Sequence, residues 1–235
     1  MEIAGSVALV TGANRGLGRR FAAALLERGA AKVYAAARNP ESIDLPGVVP
    51  IALDVTVPES VRAAASEAKG VTLLINNAGS STGASLLEGS LSDIRLEMDT
   101  HYFGTLSVTR EFAPILAKNG GGAVLNVLSV LSWFTAPRVA AYSAAKSAAW
   151  SLTNALRLEL APQGTQVTGL HVGYMDTDMA ARITESKIDP AVVAGLALDG
   201  VEQGRFEVLA YERSRQVRAA LSGDLAGLYP QLLSD

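Results

Sequence analysis

At 235 residues, with 49% hydrophobic side chains, the chain is long enough to bury one sizeable α/β core. Its net charge of −3 supplies no basic footprint for nucleic acid or an anionic membrane, and neither partner is expected. It has no cysteine and two scattered histidines, which excludes disulfides, thiolate metal sites and a zinc constellation, so no metal is expected.

The N-terminal apolar run is short and lacks a basic region, which predicts a soluble, unprocessed chain that suits a reducing cytoplasm. Val7 to Val10 leads into Thr11-Gly12-Ala13-Asn14-Arg15-Gly16-Leu17-Gly18, and an amphipathic stretch follows at helical period. The spacing predicts a strand, a glycine turn and a helix over 16–28. A helix N-terminus behind such a turn is an anion site, because its first amides lack partners and the helix dipole is positive there. A phosphate or pyrophosphate is the expected guest.

Further strands are predicted over 32–36, 49–53, 71–76, 123–128, 166–172 and 206–209. Helices are predicted over 58–69, 91–118, 140–160, 190–202 and 212–221, with Pro58 and Pro190 suited to first turns. The connection over 39–48, broken by Pro40, Pro46 and Gly47, predicts an abbreviated turn. Strand and helix alternate without a linker or repeat. This predicts one domain over 1–235: a doubly wound, seven-stranded parallel sheet with helices on both faces. The tail over 222–235, with Leu225, Leu228, Tyr229, Leu232 and Leu233, is expected to dock on a surface.

Ligands in such sheets bind beyond the carboxyl ends of the strands, here Thr11, Ala37, Asp54, Asn76, Ser129 and Gly173. Arg38 lies 20 residues after Gly18, where a dinucleotide fold places the group that meets the adenosine ribose. Its planar fork suits a 2′-phosphate, and Arg15 adds charge on the same side; together they favour NADP(H) over NAD(H). Tyr142 and Lys146 are four residues apart near a predicted helix start and so share a face. A free phenol, with a pKa of about 10, is ionised in roughly one molecule in a thousand at neutral pH, and a neighbouring cation lowers that pKa. Such a tyrosine serves as acid and base.

Ser129 precedes Tyr142 by 13 residues, and Asn76-Asn77-Ala78-Gly79 ends the preceding strand. With Gly173 to Thr177 these motifs resemble the short-chain dehydrogenase/reductase family over essentially the full length. The resemblance implies a single-domain Rossmann fold and oxidoreductase activity on a carbonyl or alcohol. It implies that Tyr142 exchanges a proton with the substrate oxygen, Ser129 hydrogen-bonds the carbonyl, and Lys146 binds the nicotinamide ribose and lowers the tyrosine pKa. For the cofactor it implies Gly12, Gly16 and Gly18 at the pyrophosphate turn, Asn14, Arg15 and Leu17 as further cofactor-binding residues of that turn, and Asp54 and Val55 at the adenine. Asn76, Ala78 and Gly79 would lie by the adenosine ribose, with Gly173, Met175 and Thr177 at the nicotinamide end.

Three positions depart from the family pattern. His101 stands where the family has a catalytic asparagine. It would hold the same relay water, titrate near pH 6 to 7, or pack as a helix-kink residue. Val172 replaces the proline before Gly173, which predicts a less rigid turn, and His171 replaces an asparagine, which predicts a structural role. The resemblance further implies a substrate wall from Leu131, Trp133, Phe134, Tyr174 and Met179, suited to a hydrophobic or aromatic ketone. It implies a homodimer or homotetramer through the helices over 91–118 and 140–160. A 3-oxoacyl-thioester reductase uses the same active-site residues, and a non-catalytic NADP(H)-binding sensor would keep the glycine turn and Arg38.

Overall fold

A computed structural model describes residues 1–229. Seven strands form one parallel sheet: β1 (Val7–Thr11), β2 (Lys32–Ala37), β3 (Val49–Ala52), β4 (Leu73–Asn76), β5 (Gly122–Ser129), β6 (Thr165–Val172) and β7 (Glu207–Leu209). Their spatial order is β3-β2-β1-β4-β5-β6-β7. The chain therefore reverses its winding between β1 and β4, and the crevice at their carboxyl ends is where such a sheet takes its ligand. The register pairs Val10 with both Ala35 and Ile75, so the glycine turn leaves the sheet beside the turn that follows β4.

The helices are α1 (Gly16–Glu27), α2 (Pro58–Glu67), α3 (Leu91–Met98), α4 (Thr105–Lys118), α5 (Ala140–Glu159), α6 (Pro190–Glu202) and α7 (Glu212–Ala220). Alternate strand side chains feed two separate cores. One joins Val10, Ile75 and Leu125 to Phe21 and Leu25 of α1 and Leu198 of α6. The other joins Leu9, Leu74 and Val124 to Val61 of α2, Phe112 of α4 and Leu156 of α5. A parallel sheet needs this cover on both faces, which explains why its strands read as nearly continuous apolar runs.

The long helix predicted over 91–118 is interrupted. Residues Asp99–Gly104 form a π-helical turn between α3 and α4. An extra residue in a helical turn redirects side chains, and here it buries His101. Gly104 permits the bend, since a Cβ there would fall 2.8 Å from Val55 Cγ2.

Between the layers runs a buried polar chain. Asn76 Nδ2 donates to Thr109 Oγ1 of α4 (3.1 Å) and Asn126 Oδ1 of β5 (2.9 Å). Asn126 Nδ2 donates to Thr153 Oγ1 of α5 (3.0 Å), and both threonines donate onward to carbonyls within their own helices. Unpaired buried amides are costly; these bonds fix α4 and α5 in register with the strands that carry the site. The described part of the tail folds onto its own chain, where Thr135 N donates to Tyr229 Oη (3.2 Å) and Leu228 packs near Val130 and Trp133. Leu232 and Leu233 lie outside the described residues.

Candidate active site

The glycine turn is built by contact. Gly12 has φ +66° and a Cβ there would meet Ala78 Cα at 3.0 Å; at Gly18 it would fall 2.1 Å from Gly12 O. Thr11 Oγ1 accepts from the amides of Asn77 and Ala78 (both 2.9 Å), while Asn77 Nδ2 donates to the carbonyls of Thr11 (2.8 Å) and Gly12 (3.1 Å). The loop after β4 thus holds the turn after β1. Asn77 was legible in the sequence only as part of its motif; its work is on the glycine turn.

At the N-terminus of α1 no side chain among the described residues caps the amides, and no acidic residue occupies the first turn. Such an end is open to an anion, and the cradle that a Cβ at Gly18 would fill fits a pyrophosphate. Leu17 is 5% exposed in the core, which leaves its backbone alone to face this site. Arg38 stands exposed just past β2 and joins no ion pair among the described residues. Arg15 pairs at 3.0 Å with Asp178, and both side chains are largely exposed. A surface pair of this kind contributes little and exchanges readily for a stronger anion.

Other expected contacts are already engaged. Asp54 Oδ1 accepts from Thr56 N and Oγ1, Val55 packs against Gly104, and the Asn76 side chain lies in the interior chain described above. The Asn76 side chain therefore serves the framework, and only its backbone is left to line the turn expected beside the adenosine ribose. Beyond β6 the chain passes back over the glycine turn, where Thr177 Cγ2 lies 3.4 Å from a Cβ built at Gly16. Tyr211 presses on Gly173 so closely that a Cβ there would fall 2.4 Å from its ring, and Met175 pairs with Ile188. This loop is restrained from outside, which offsets the missing proline at Val172.

Ser129 ends β5. Its hydroxyl accepts from Leu131 N (3.1 Å) and its own amide donates to Ser132 Oγ (3.3 Å), which fixes its rotamer. His171 Nδ1 lies 3.3 Å from the Ser129 carbonyl oxygen and donates to it, while the ring stacks on Trp133 at 3.9 Å. The structural part expected for His171 is thus to hold the serine. Trp133 is buried in that stack and beside Trp150, which removes it from the expected substrate wall. Leu131 and Phe134 also pack toward this cluster, whereas Tyr174 and Met179 are exposed.

Tyr142 and Lys146 occupy the first two turns of α5, with the lysine Nζ 5.6 Å from the tyrosine ring centroid. Lys146 donates to Val127 O at 2.7 Å, and burial pushes its pKa down to about 8 against the opposing pull of the Glu97 charge. Burial pushes the half-buried Tyr142 phenol above its ordinary value. A hydrogen bond with Ser129 opposes this and the Glu97 carboxylate adds to it. The influence of Lys146 expected on the phenol is not among the causes of this shift, of which burial is the largest.

His101 approaches Tyr142 edge-on at 5.1 Å between ring centroids. Burial and the charge of Lys146 hold its pKa below the usual histidine value, opposed by Glu97 and Ser80. Titration near pH 6 to 7 is thereby displaced downward, and the kink role is present in the π-helical turn. Glu97, absent from the sequence-based site, is fully buried and sits 3.3 Å from His101 Nε2. Its Glu-x-x-x-His spacing is the one sequence signal by which it could have been found.

Among the described residues no helix is long and apolar enough to cross a membrane, and no cluster of three or more metal-ligating side chains forms. A family model described as short chain dehydrogenase matches residues 6–188. A solved short-chain dehydrogenase from Burkholderia cenocepacia J2315 in complex with NADP is 42% identical, with a TM-score of 0.94 and 100% of both chains covered. The NADPH-dependent 1-acyldihydroxyacetone phosphate reductase of Schizosaccharomyces pombe is 32% identical, over 78% of this chain and 64% of that protein. An uncharacterised oxidoreductase of Staphylococcus aureus strain MW2 is 30% identical, over 84% of this chain and 91% of that one. From the glycine turn to the loop beyond β6, sequence and geometry agree, and the chain belongs to the short-chain dehydrogenase/reductase family of oxidoreductases.

Proposed function

We propose that this protein is an NADP(H)-dependent carbonyl reductase and alcohol dehydrogenase acting on a hydrophobic or aromatic ketone or aldehyde, with Tyr142 as its acid and base. The observation that carries this reading is the gathering of a phenol, an ammonium and a serine hydroxyl at the carboxyl end of β5 and the start of α5. The bound dinucleotide supplies or accepts the hydride at the carbonyl carbon; the chain supplies position and the proton. Ser129 orients the carbonyl oxygen, and Tyr142 gives its proton to that oxygen as the alcohol forms. Lys146 holds the nicotinamide ribose and places positive charge by the phenolate left behind.

Burial raises the Tyr142 pKa above its ordinary value, so the proton that reduction consumes is on the phenol before turnover. Lys146 loses its charge as pH rises through about 8. Reductive kcat/KM is therefore expected to hold from pH 6 to 7.5 and to fall above pH 8, as a pH–rate profile would record. A flat profile to pH 10 would contradict it.

The amides of the first α1 turn, with Gly12, Gly16 and Gly18, suit the pyrophosphate, and Arg38 with Arg15 suits the 2′-phosphate. The NADP of the B. cenocepacia structure supports the same choice. Charge-assisted hydrogen bonds contribute about 1.5–3 kcal/mol each. Arg38→Ala is thus expected to raise KM for NADPH by about tenfold or more and to leave KM for NADH unchanged.

A panel of ketones, aldehydes, alcohols and 3-oxoacyl thioesters, assayed with NADPH and NADH separately, tests the assignment. Turnover of 3-oxoacyl thioesters alone would move the substrate class. Cofactor binding without any turnover would leave a sensor protein.

For assembly we propose a homodimer, or a tetramer built from it, through α4 and α5. One face of α5 stays open in the single chain along Ala144, Ser147, Ser151, Ala155 and Leu158, and Phe103 at the head of α4 is 54% exposed. A single α5 is thus not covered on all sides, and a second subunit would complete its burial. Sedimentation as a monomer at micromolar concentration would overturn this assembly.

A further inference from the structure

His101 Nε2 lies 2.9 Å from the Ser80 carbonyl oxygen and 3.3 Å from Glu97 Oε2. Both oxygens only accept, and both lie nearer than the Ser80 amide, which points its hydrogen at the same nitrogen from 3.4 Å; the two closer acceptors place the ring hydrogen on Nε2. Burial and the Lys146 charge disfavour a second proton on the ring, against the opposing pull of Glu97 and Ser80. In the neutral ring Nδ1 is then the acceptor, and among the described residues it is buried without a partner. A sequestered acceptor beside two proton-handling groups needs a donor.

The environment holds the ring in this one orientation. Glu97 Oε1 accepts from Thr82 N and Oε2 from Ser80 Oγ (3.0 Å), which ties the loop after β4 to the last turn of α3. Gly79 lets the imidazole in, because a Cβ there would fall 2.8 Å from its Cε1. The titratable groups facing His101 are Glu97 from α3, and Tyr142 and Lys146 from α5. The loop after β4 presents the Ser80 carbonyl, an uncharged acceptor.

We propose that Glu97 is a positioning residue: by engaging the Nε2 hydrogen of His101, it fixes the tautomer in which Nδ1 is the acceptor in the proton chain that resupplies Tyr142. When Tyr142 has given its proton to the substrate oxygen, one proton must return to the phenolate from solvent. An O–H donor held by the Nδ1 lone pair is oriented along that route, and the imidazole itself gains and loses no proton. Glu97 touches neither substrate nor cofactor and acts through the ring alone. This rests on the oxidoreductase reading above for its catalytic meaning, but the tautomer is a property of the free protein.

The chain has two histidines, so a long-range ¹H–¹⁵N correlation spectrum of histidine-labelled, cofactor-free protein resolves each ring. His101 is expected as the neutral Nε2–H form from pH 8 down to 6. Glu97→Gln presents an amide N–H to the same nitrogen and is expected to shift the ring toward Nδ1–H. In turnover with NADPH, Glu97→Gln is expected to lower kcat by about tenfold, less than the 10²–10⁴ of a direct acid or base, with KM for NADPH unchanged. In a His101→Asn background the same substitution is expected to leave kcat unaltered, because the tautomer it controls is gone.

A His101 ring found as Nδ1–H in the wild-type protein overturns the proposal without any variant being made. A Glu97→Gln loss of equal size in both backgrounds also overturns it, since that is the signature of a loop anchor. An inactive wild-type enzyme with the Nε2–H tautomer would overturn the functional reading and leave the Glu97–His101 arrangement standing.

Discussion

Tyr142→Phe is expected to lower kcat/KM for carbonyl reduction by about 10³-fold or more, within the range a positioned acid supplies together with its oriented hydrogen bond. The substitution removes one oxygen and keeps the ring that meets His101 edge-on, so folding and NADPH affinity should remain within twofold. Equilibrium cofactor titration and thermal unfolding separate this result from damage to the fold. A lowered phenol pKa is not required: burial raises it, and a protonated phenol is the form reduction consumes. Oxidation of the alcohol, which needs the phenolate, should climb with pH over the neutral range while reduction does not. A variant retaining a tenth of wild-type activity would remove Tyr142 from the reaction.

Gly18→Ala is expected to weaken NADPH binding by about 100-fold, equivalent to about 2.7 kcal/mol. The added carbon would lie 2.1 Å from Gly12 O and 2.5 Å from Asn77 Nδ2, inside the contact that shapes the turn. Neither neighbour is free to yield, because Asn77 also bonds Thr11 O and its amide bonds Thr11 Oγ1. Overpacking of this kind costs about 1–3 kcal/mol, which for a chain of this size is a fall in Tm of about 2–10 °C. Gly227→Ala is the control: among the described residues nothing lies within 4 Å of a Cβ there, and both affinity and Tm should stay at wild-type values. Calorimetric titration with NADPH beside thermal unfolding of the two variants decides the matter.

The sequence alone determined the order and type of the strands and helices. Each crosses a doubly covered sheet, so its apolar period is set by local geometry and survives without its neighbours. It also revealed the glycine turn, Arg38 and the spacing of Ser129, Tyr142 and Lys146, because those roles depend on distances along the chain. Side-chain direction was not legible in this way. Trp133 was expected in the substrate wall and the turn from Asn76 to Gly79 beside the adenosine ribose; the Trp133 side chain stacks on His171 and that of Asn76 bonds Asn126 and Thr109, all distant in sequence. The long helix over 91–118 was read as continuous because its period hardly changes across the π-helical turn at Asp99–Gly104. That turn brings His101 inward against Tyr142, while Glu97 meets the loop after β4. Only tertiary structure decided the charges there: how far a phenol, an amine, an imidazole and a carboxylate shift depends on how much water packing removes and which charges it leaves adjacent, and neither quantity is a property of the chain taken in order.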